Sequence, residues 1–227
     1  KILLFCIGAV CLAGFTFAQD APLWMRHSVI SPDGTTIAFT YKGDIYTVPG
    51  AGGRAMQITT NPAYDTAPVW SPDSKRIAFA SDRMGSLDVY IVAKDGGEPR
   101  RLTTHSGSET PLAFTDAGHV LFSAGIMPSA EAVVFPSNGQ FNQVYRVSEE
   151  GGRPTMISSM PMECISINKE GAMLYQDKKG YEDYWRKHHV SPIARDIWMY
   201  TPGKEPQYRQ LTTFGGEDRE PVWAPDG

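Results

Sequence analysis

Beyond residue 24 the chain alternates short apolar runs with polar turn clusters. Thr66 to Trp70, Arg76 to Ala80, Asp88 to Ala93 and Pro99 to Thr103 are rich in β-branched and aromatic residues, and turn-forming residues separate them. This pattern predicts four short strands and gives no long helical period. The first turn, Ser71-Pro72-Asp73-Ser74, also occurs as Ser31-Pro32-Asp33-Gly34 and Ala224-Pro225-Asp226-Gly227. In such a turn the Ser accepts at the first corner, Pro presets the second backbone angle and Gly suits the exit. A Gly-Gly pair then provides the left-handed corner of the next hairpin.

The unit repeats. A third-strand signature appears as Asp44-Ile45-Tyr46, Asp88-Val89-Tyr90, Gln143-Val144-Tyr145 and Asp196-Ile197-Trp198, at separations of 44, 55 and 53 residues. Gly52-Gly53, Gly96-Gly97 and Gly151-Gly152 follow it, with Pro202-Gly203 in the fourth unit. Ile58-Thr59-Thr60, Leu102-Thr103-Thr104, Ile157-Ser158-Ser159 and Leu211-Thr212-Thr213 close the units. The expected fold is all-β, a β-propeller of four-stranded blades over 24–60, 64–104, 108–159 and 161–213. A fifth blade begins at 217–227, where Glu220-Pro221-Val222-Trp223 matches Ala67-Pro68-Val69-Trp70. A serial sandwich would not repeat the same four-strand order in register. One strand of a fifth blade leaves a sheet edge open, so the chain is expected to be a truncated ring and a fragment.

Lys1 followed by an uncharged run to Ala18 has the form of a cleaved export signal, which predicts a periplasmic or extracellular protein. The rival reading, a membrane anchor, lacks a basic stop-transfer cluster. The 21 Lys and Arg against 25 Asp and Glu make the chain mildly acidic and argue against nucleic acid as a partner. Cys6 and Cys11 fall in the leader, leaving Cys164 and no intrachain disulfide, so apolar packing must hold the fold.

Trp24-Met25-Arg26, Ser31-Pro32-Asp33-Gly34, Ile37-Ala38-Phe39, Lys42-Gly43-Asp44-Ile45-Tyr46, Gly52-Gly53 and Gln57-Ile58-Thr59 resemble the opening of exported tricorn-like serine peptidases. The less generic segment Gln176 to His189 extends the resemblance, while the Ser-Pro-Asp turn is shared with TolB-like and prolyl-oligopeptidase-type propellers. The resemblance implies a propeller that precedes a PDZ module and a C-terminal serine peptidase domain of the same protein. Peptide or unfolded protein is the implied substrate, and assembly into a homo-oligomer stays open. No catalytic residue is carried over, because the family's nucleophile and its partners belong to domains beyond Gly227.

Independent chemistry is sparse. Gly-x-Ser-x-Gly, Walker, Rossmann and His-Glu-x-x-His patterns are missing from the sequence, so it points to no cofactor. His188-His189 beside Glu182, Asp183 and Asp177 does not make a metal site, since adjacent histidines diverge. Glu182 with Arg186 and Asp183 with Lys187 instead suit a short helical insertion, with Tyr181, Tyr184, Trp185 and His188 on its other face. A second insertion runs from Ala124 to Phe141, and both are expected at the same end of the propeller. Asp65, Glu109, Glu163, Asp218 and Glu220 start innermost strands at that end. With Trp185 and His188 they are the candidate substrate path, an acidic mouth suited to cationic peptide. Solvated strand ends explain the acids equally well. Asp44, Asp88 and Asp196 are expected to cap backbone N–H groups, and Trp70, Trp223 and Tyr90 to pack between blades.

Overall fold

A computed structural model describes residues 23–115, 118–125, 142–179 and 191–224. Blade one is β1 (Arg26–Ile30), β2 (Thr36–Tyr41), β3 (Asp44–Pro49) and β4 (Met56–Gln57). Blade two is β5 (Asp65–Trp70), β6 (Arg76–Ser81), β7 (Asp88–Ala93) and β8 (Arg100–Arg101). Blade three is β9 (Glu109–Thr115), β10 (His119–Ala124), β11 (Gln143–Ser148) and β12 (Thr155–Ser158). Blade four is β13 (Met162–Ile167), β14 (Met173–Asp177), β15 (Ile197–Thr201) and β16 (Gln207–Gln210). Each blade is an antiparallel sheet in chain order, and together they form an open propeller arc. Residues 220–223 follow blade four without joining a sheet.

The Ser-Pro-Asp turn is held by its own side chains. Ser31 Oγ donates to Asp33 Oδ1 at 2.6 Å and accepts the Thr36 N–H at 3.0 Å. Asp33 Oδ1 also accepts the Thr35 N–H, and these bonds, led by Ser31, pull its carboxyl down to about 2. Ser71, Asp73 and Arg76 repeat the geometry in blade two. Blades three and four turn at the same place with other letters. Thr115 Oγ1 accepts the His119 N–H, and Asn168 Oδ1 accepts those of Glu170 and Ala172. The requirement is an oxygen acceptor at the first corner, which several residue types meet.

Every first strand carries a register break against its second strand. At the break in blades one, two and four stand His27, Ala67 and Cys164, with left-handed φ of 49°, 51° and 51°, and Glu220 has the same conformation at 54°. These are bulges, which bend and twist the innermost strand as it passes the axis.

Apolar packing lies between blades rather than within them. Ala38, Ile45 and Ile58 meet Trp70, Ile77 and Phe79 at the first junction. Ala78, Val89 and Leu102 meet Phe114, Val120 and Phe122 at the second. Leu121 and Val144 meet Met162, Met173 and Tyr175 at the third. The Tyr of the third-strand signature pairs across the sheet with a Phe, as Phe39–Tyr46, Phe79–Tyr90 and Phe122–Tyr145, with ring centroids 5.8, 6.0 and 5.7 Å apart. Trp70 is buried and its indole N–H donates to Val29 O at 3.1 Å. Trp223 makes the equivalent bond to Ser166 O at 3.1 Å, so the fifth unit seats on blade four as blade two seats on blade one.

Candidate functional site: the blade junctions and the axial cleft

Strands alternate in direction, so the first-strand starts, the third-strand starts and the connectors between blades gather at one end. A polar junction recurs there. Asp65 and Glu109, which open innermost strands, and Asp218, at the same position of the fifth unit, donate their N–H groups to the residue before Asp44, Asp88 and Asp196 of the preceding blade: Asp65 to Gly43 O, Glu109 to Leu87 O and Asp218 to Arg195 O, at 2.7, 2.7 and 2.9 Å. The first Thr of each closing pair accepts the N–H just inside that third strand: Ile45 to Thr59, Val89 to Thr103 and Ile197 to Thr212, each at 2.9 Å. The carbonyl bonds thus stitch successive blades together where no sheet pairing is available, while each threonine ties the closing segment of a blade to that blade's own third strand.

Carboxylates fill this junction, and each meets a different partner. Asp65 is fully buried and takes both oxygens to Arg83 Nη2 at 3.0 Å, while Arg83 Nε donates to Ser81 and its guanidinium lies 4.5 Å from the Tyr90 ring centre. Asp44 beside it accepts from Gln57, and burial together with the Asp65 charge raises its carboxyl. At the next junction Asp88 and Glu109 are both fully buried. Arg101 lies 2.8 Å from Asp88, and Thr103 Oγ1 donates to Glu109 at 3.0 Å. Burial dominates Glu109 and, with the Asp88 carboxylate, pushes it up to about 7 against the Thr103 bond and Arg101. His105 Nδ1, 3.4 Å from Glu109 Oε1, already accepts the Gly107 N–H. That contact therefore favours a proton on Glu109.

Glu163 is half-buried. Burial would raise it, but Lys178 at 3.1 Å, Gln176 and Arg195 at 3.3 Å outweigh that and hold it below the usual range. Asp196 is bound by Lys179 and by Gln210 Nε2 at 3.0 Å. Asp44, Asp88 and Asp196 thus bind side chains of the fourth strand and beyond it, and the expected backbone caps fall to the threonines.

The predicted site residues therefore separate. Asp65, Glu109 and Asp218 take one repeat position, Glu163 stands one residue further along its strand, and Glu220 sits on the bulge. Asp65, Glu109 and Glu163 are engaged within the protein. Asp218 is half-buried with Oδ2 unpaired among the described residues, and Glu220 is exposed, its N–H donating to Gln176. Trp185, His188, the helical insertion around them, most of the Ala124 to Phe141 insertion and the leader lie outside the described residues. Among the described residues no group of three or more His, Cys, Asp or Glu is placed to hold a metal.

At the opposite end an axial cleft of about 500 Å³ opens between the innermost strands of all four blades. Val29, Ile30, Val69, Leu112 and Ile165 line it, with Lys169 at its rim. The sequence reading did not single out this wall. Its signal in the sequence is an apolar residue within two positions of the bulge, Val29 after His27, Val69 after Ala67 and Ile165 after Cys164.

An open arc of four-stranded blades about an apolar axial cleft defines the class, a β-propeller. The family model for the tricorn protease N-terminal β-propeller domain matches residues 22–227, and the chain belongs to that family. It is 24% identical over 207 residues to tricorn protease homolog 1 of Streptomyces coelicolor, covering 91% of this chain and 18% of that protein. It is 44% identical over 55 residues to the Tol-Pal system protein TolB of Bordetella pertussis, covering 24% and 13%. The crystal structure of the tricorn protease superposes with a TM-score of 0.68 at 18% identity, over 89% of this chain and 20% of that one. TolB from Agrobacterium tumefaciens superposes with a TM-score of 0.60 at 21% identity, over 88% and 70%.

Proposed function

We propose that this chain is the non-catalytic N-terminal propeller portion of an exported tricorn-like serine peptidase. In this reading it gates or docks peptide substrates for a hydrolytic domain encoded beyond residue 227. The family match across residues 22–227 carries the reading. The axial cleft supports it, because an apolar passage with paired charges at the far end suits an extended polypeptide. The charged rim at Glu220 and Asp218 is where such a chain would first be met. The leader-like start supports export.

The test uses the whole protein. Ile30 is 61% exposed and Leu112 half-buried on the cleft wall, so Ile30→Arg and Leu112→Arg place cations on the passage. Hydrolysis of a Lys-rich unfolded polypeptide is expected to fall several-fold while a tripeptide amide is cut at the original rate. Equal effects on both substrates would remove the gating role. A second reading, a TolB-like binding module, is favoured by the local 44% identity. It predicts no hydrolysis of either substrate by the whole protein.

A further inference from the structure

The face bearing the Ser-Pro-Asp turns closes differently at successive junctions. Between blades two and three, Arg76 Nη1 meets Glu149 Oε2 at 2.5 Å and Arg100 Nη1 meets Glu150 Oε2 at 2.9 Å. Arg100 Nη2 also donates to Glu149 O. Two acids on the β11–β12 turn thus cover the seam, and beneath them Ile91 is 5% exposed.

Strand register gives the equivalents one junction on. Arg76, Ile91 and Arg100 become His119, Arg146 and Thr155. The Glu149-Glu150 pair becomes Pro202-Gly203, because Ser148 and Thr201 hold the same place before the turn. The acids that would close the seam are missing, and a cavity of about 450 Å³ stands there. Its floor is apolar, with Leu121, Met173 and Tyr200 at 1%, 4% and 7% exposure. Its walls carry Arg146, Lys169 and the His119 imidazole. Among the described residues the side chains of these three make no ion pair or hydrogen bond. Glu170, the acid at this rim, accepts from Asn168 Nδ2 at 2.8 Å.

We propose that the seam between blades three and four binds an acidic segment of a partner polypeptide, two adjacent carboxylates with a large apolar side chain beside them. The carboxylates would meet Arg146 and Lys169, which stand at other register positions than the Arg76 and Arg100 that bind Glu149 and Glu150 within this chain. The apolar side chain would cover Leu121, Met173 and Tyr200. Cations with no partner among the described residues, set around an apolar floor, select this ligand over a cationic or purely polar one. The proposal is independent of any peptidase activity.

The probe is acetyl-Leu-Glu-Glu-Gly-Gly-amide, titrated into the whole protein and read by calorimetry. Saturable binding at one site is expected, weakened at least tenfold when both Glu are replaced by Gln or when Leu is replaced by Gly. Arg146→Glu combined with Lys169→Glu is expected to abolish it and to admit acetyl-Leu-Lys-Lys-Gly-Gly-amide instead. Both positions are exposed. Gly203→Glu restores the acid that blade three carries as Glu150. A Cβ there meets nothing nearer than 3.9 Å, so the fold tolerates it. This variant should lose the probe, its added carboxylate competing for the same cations. Equal binding of the Glu and Gln probes, or unchanged binding by Gly203→Glu and by the charge-reversed protein, would overturn the proposal.

Discussion

Glu109 shows what burial does to one carboxyl. It is fully enclosed beside Asp88, and its ionisation is displaced from an ordinary 4.5 up to about 7. Because the folded value lies above the unfolded one, the stabilisation is complete below about pH 4.5 and is lost as pH rises through about 7. The melting temperature of the wild-type protein should therefore carry a downward component from pH 5 to pH 8, worth up to ~1.4 kcal/mol per pH unit. Glu109→Gln keeps an acceptor for Thr103 and removes the titration, so its melting profile over that range should be flatter than wild type. Parallel profiles would show that Glu109 ionises normally. None of this was legible in the sequence, where Glu109 is one of several strand-starting acids. The displacement depends on burial and, after it, on the Asp88 carboxylate, and both arise only through the fold.

At the scale of elements, hairpins and third strands could be read directly, because turn chemistry leaves recognisable letters. Two of the four first-to-second turns escaped, since Thr115 and Asn168 do the work of Ser31 with different oxygens. The bulges escaped for the opposite reason. His27, Ala67, Cys164 and Glu220 share a backbone angle and no side-chain property. The closing Thr-Thr pairs were visible as punctuation, yet their role is a bond to the third strand. Removing that acceptor leaves a buried N–H unsatisfied, so Thr59→Val and Thr103→Val should each cost about 1–3 kcal/mol in urea denaturation. Ser158 in blade three instead accepts the Met160 N–H and meets the Tyr208 hydroxyl at the blade's edge. Ser158→Ala should cost about half as much or less, roughly 0.5–1.5 kcal/mol. Equal losses in all three would contradict the assigned bonds.

For the whole molecule, stability resides in the junctions. Phe79 is fully buried between blades one and two, and Phe79→Ala should cost about 3–5 kcal/mol. Val222, 79% exposed beside blade four, should tolerate Ala within about 0.5 kcal/mol when tested on residues 1–227. A small effect at Phe79 would mean that the blades do not share one core. The radial arrangement was legible because the same quartet recurs in register. The axial cleft and the uneven seams were not, since both depend on which residues from separate repeats face one another.

The backbone bonds from Asp65 to Gly43 and from Glu109 to Leu87 span neighbouring sheets, so their amide hydrogens are gauges of separation rather than of fraying. In a deuterium-labelling experiment these two sites would record each time adjacent quartets part company. Amides inside β6 or β10 would record the dismantling of a single quartet, so the two kinds of breathing can be timed independently in the same sample.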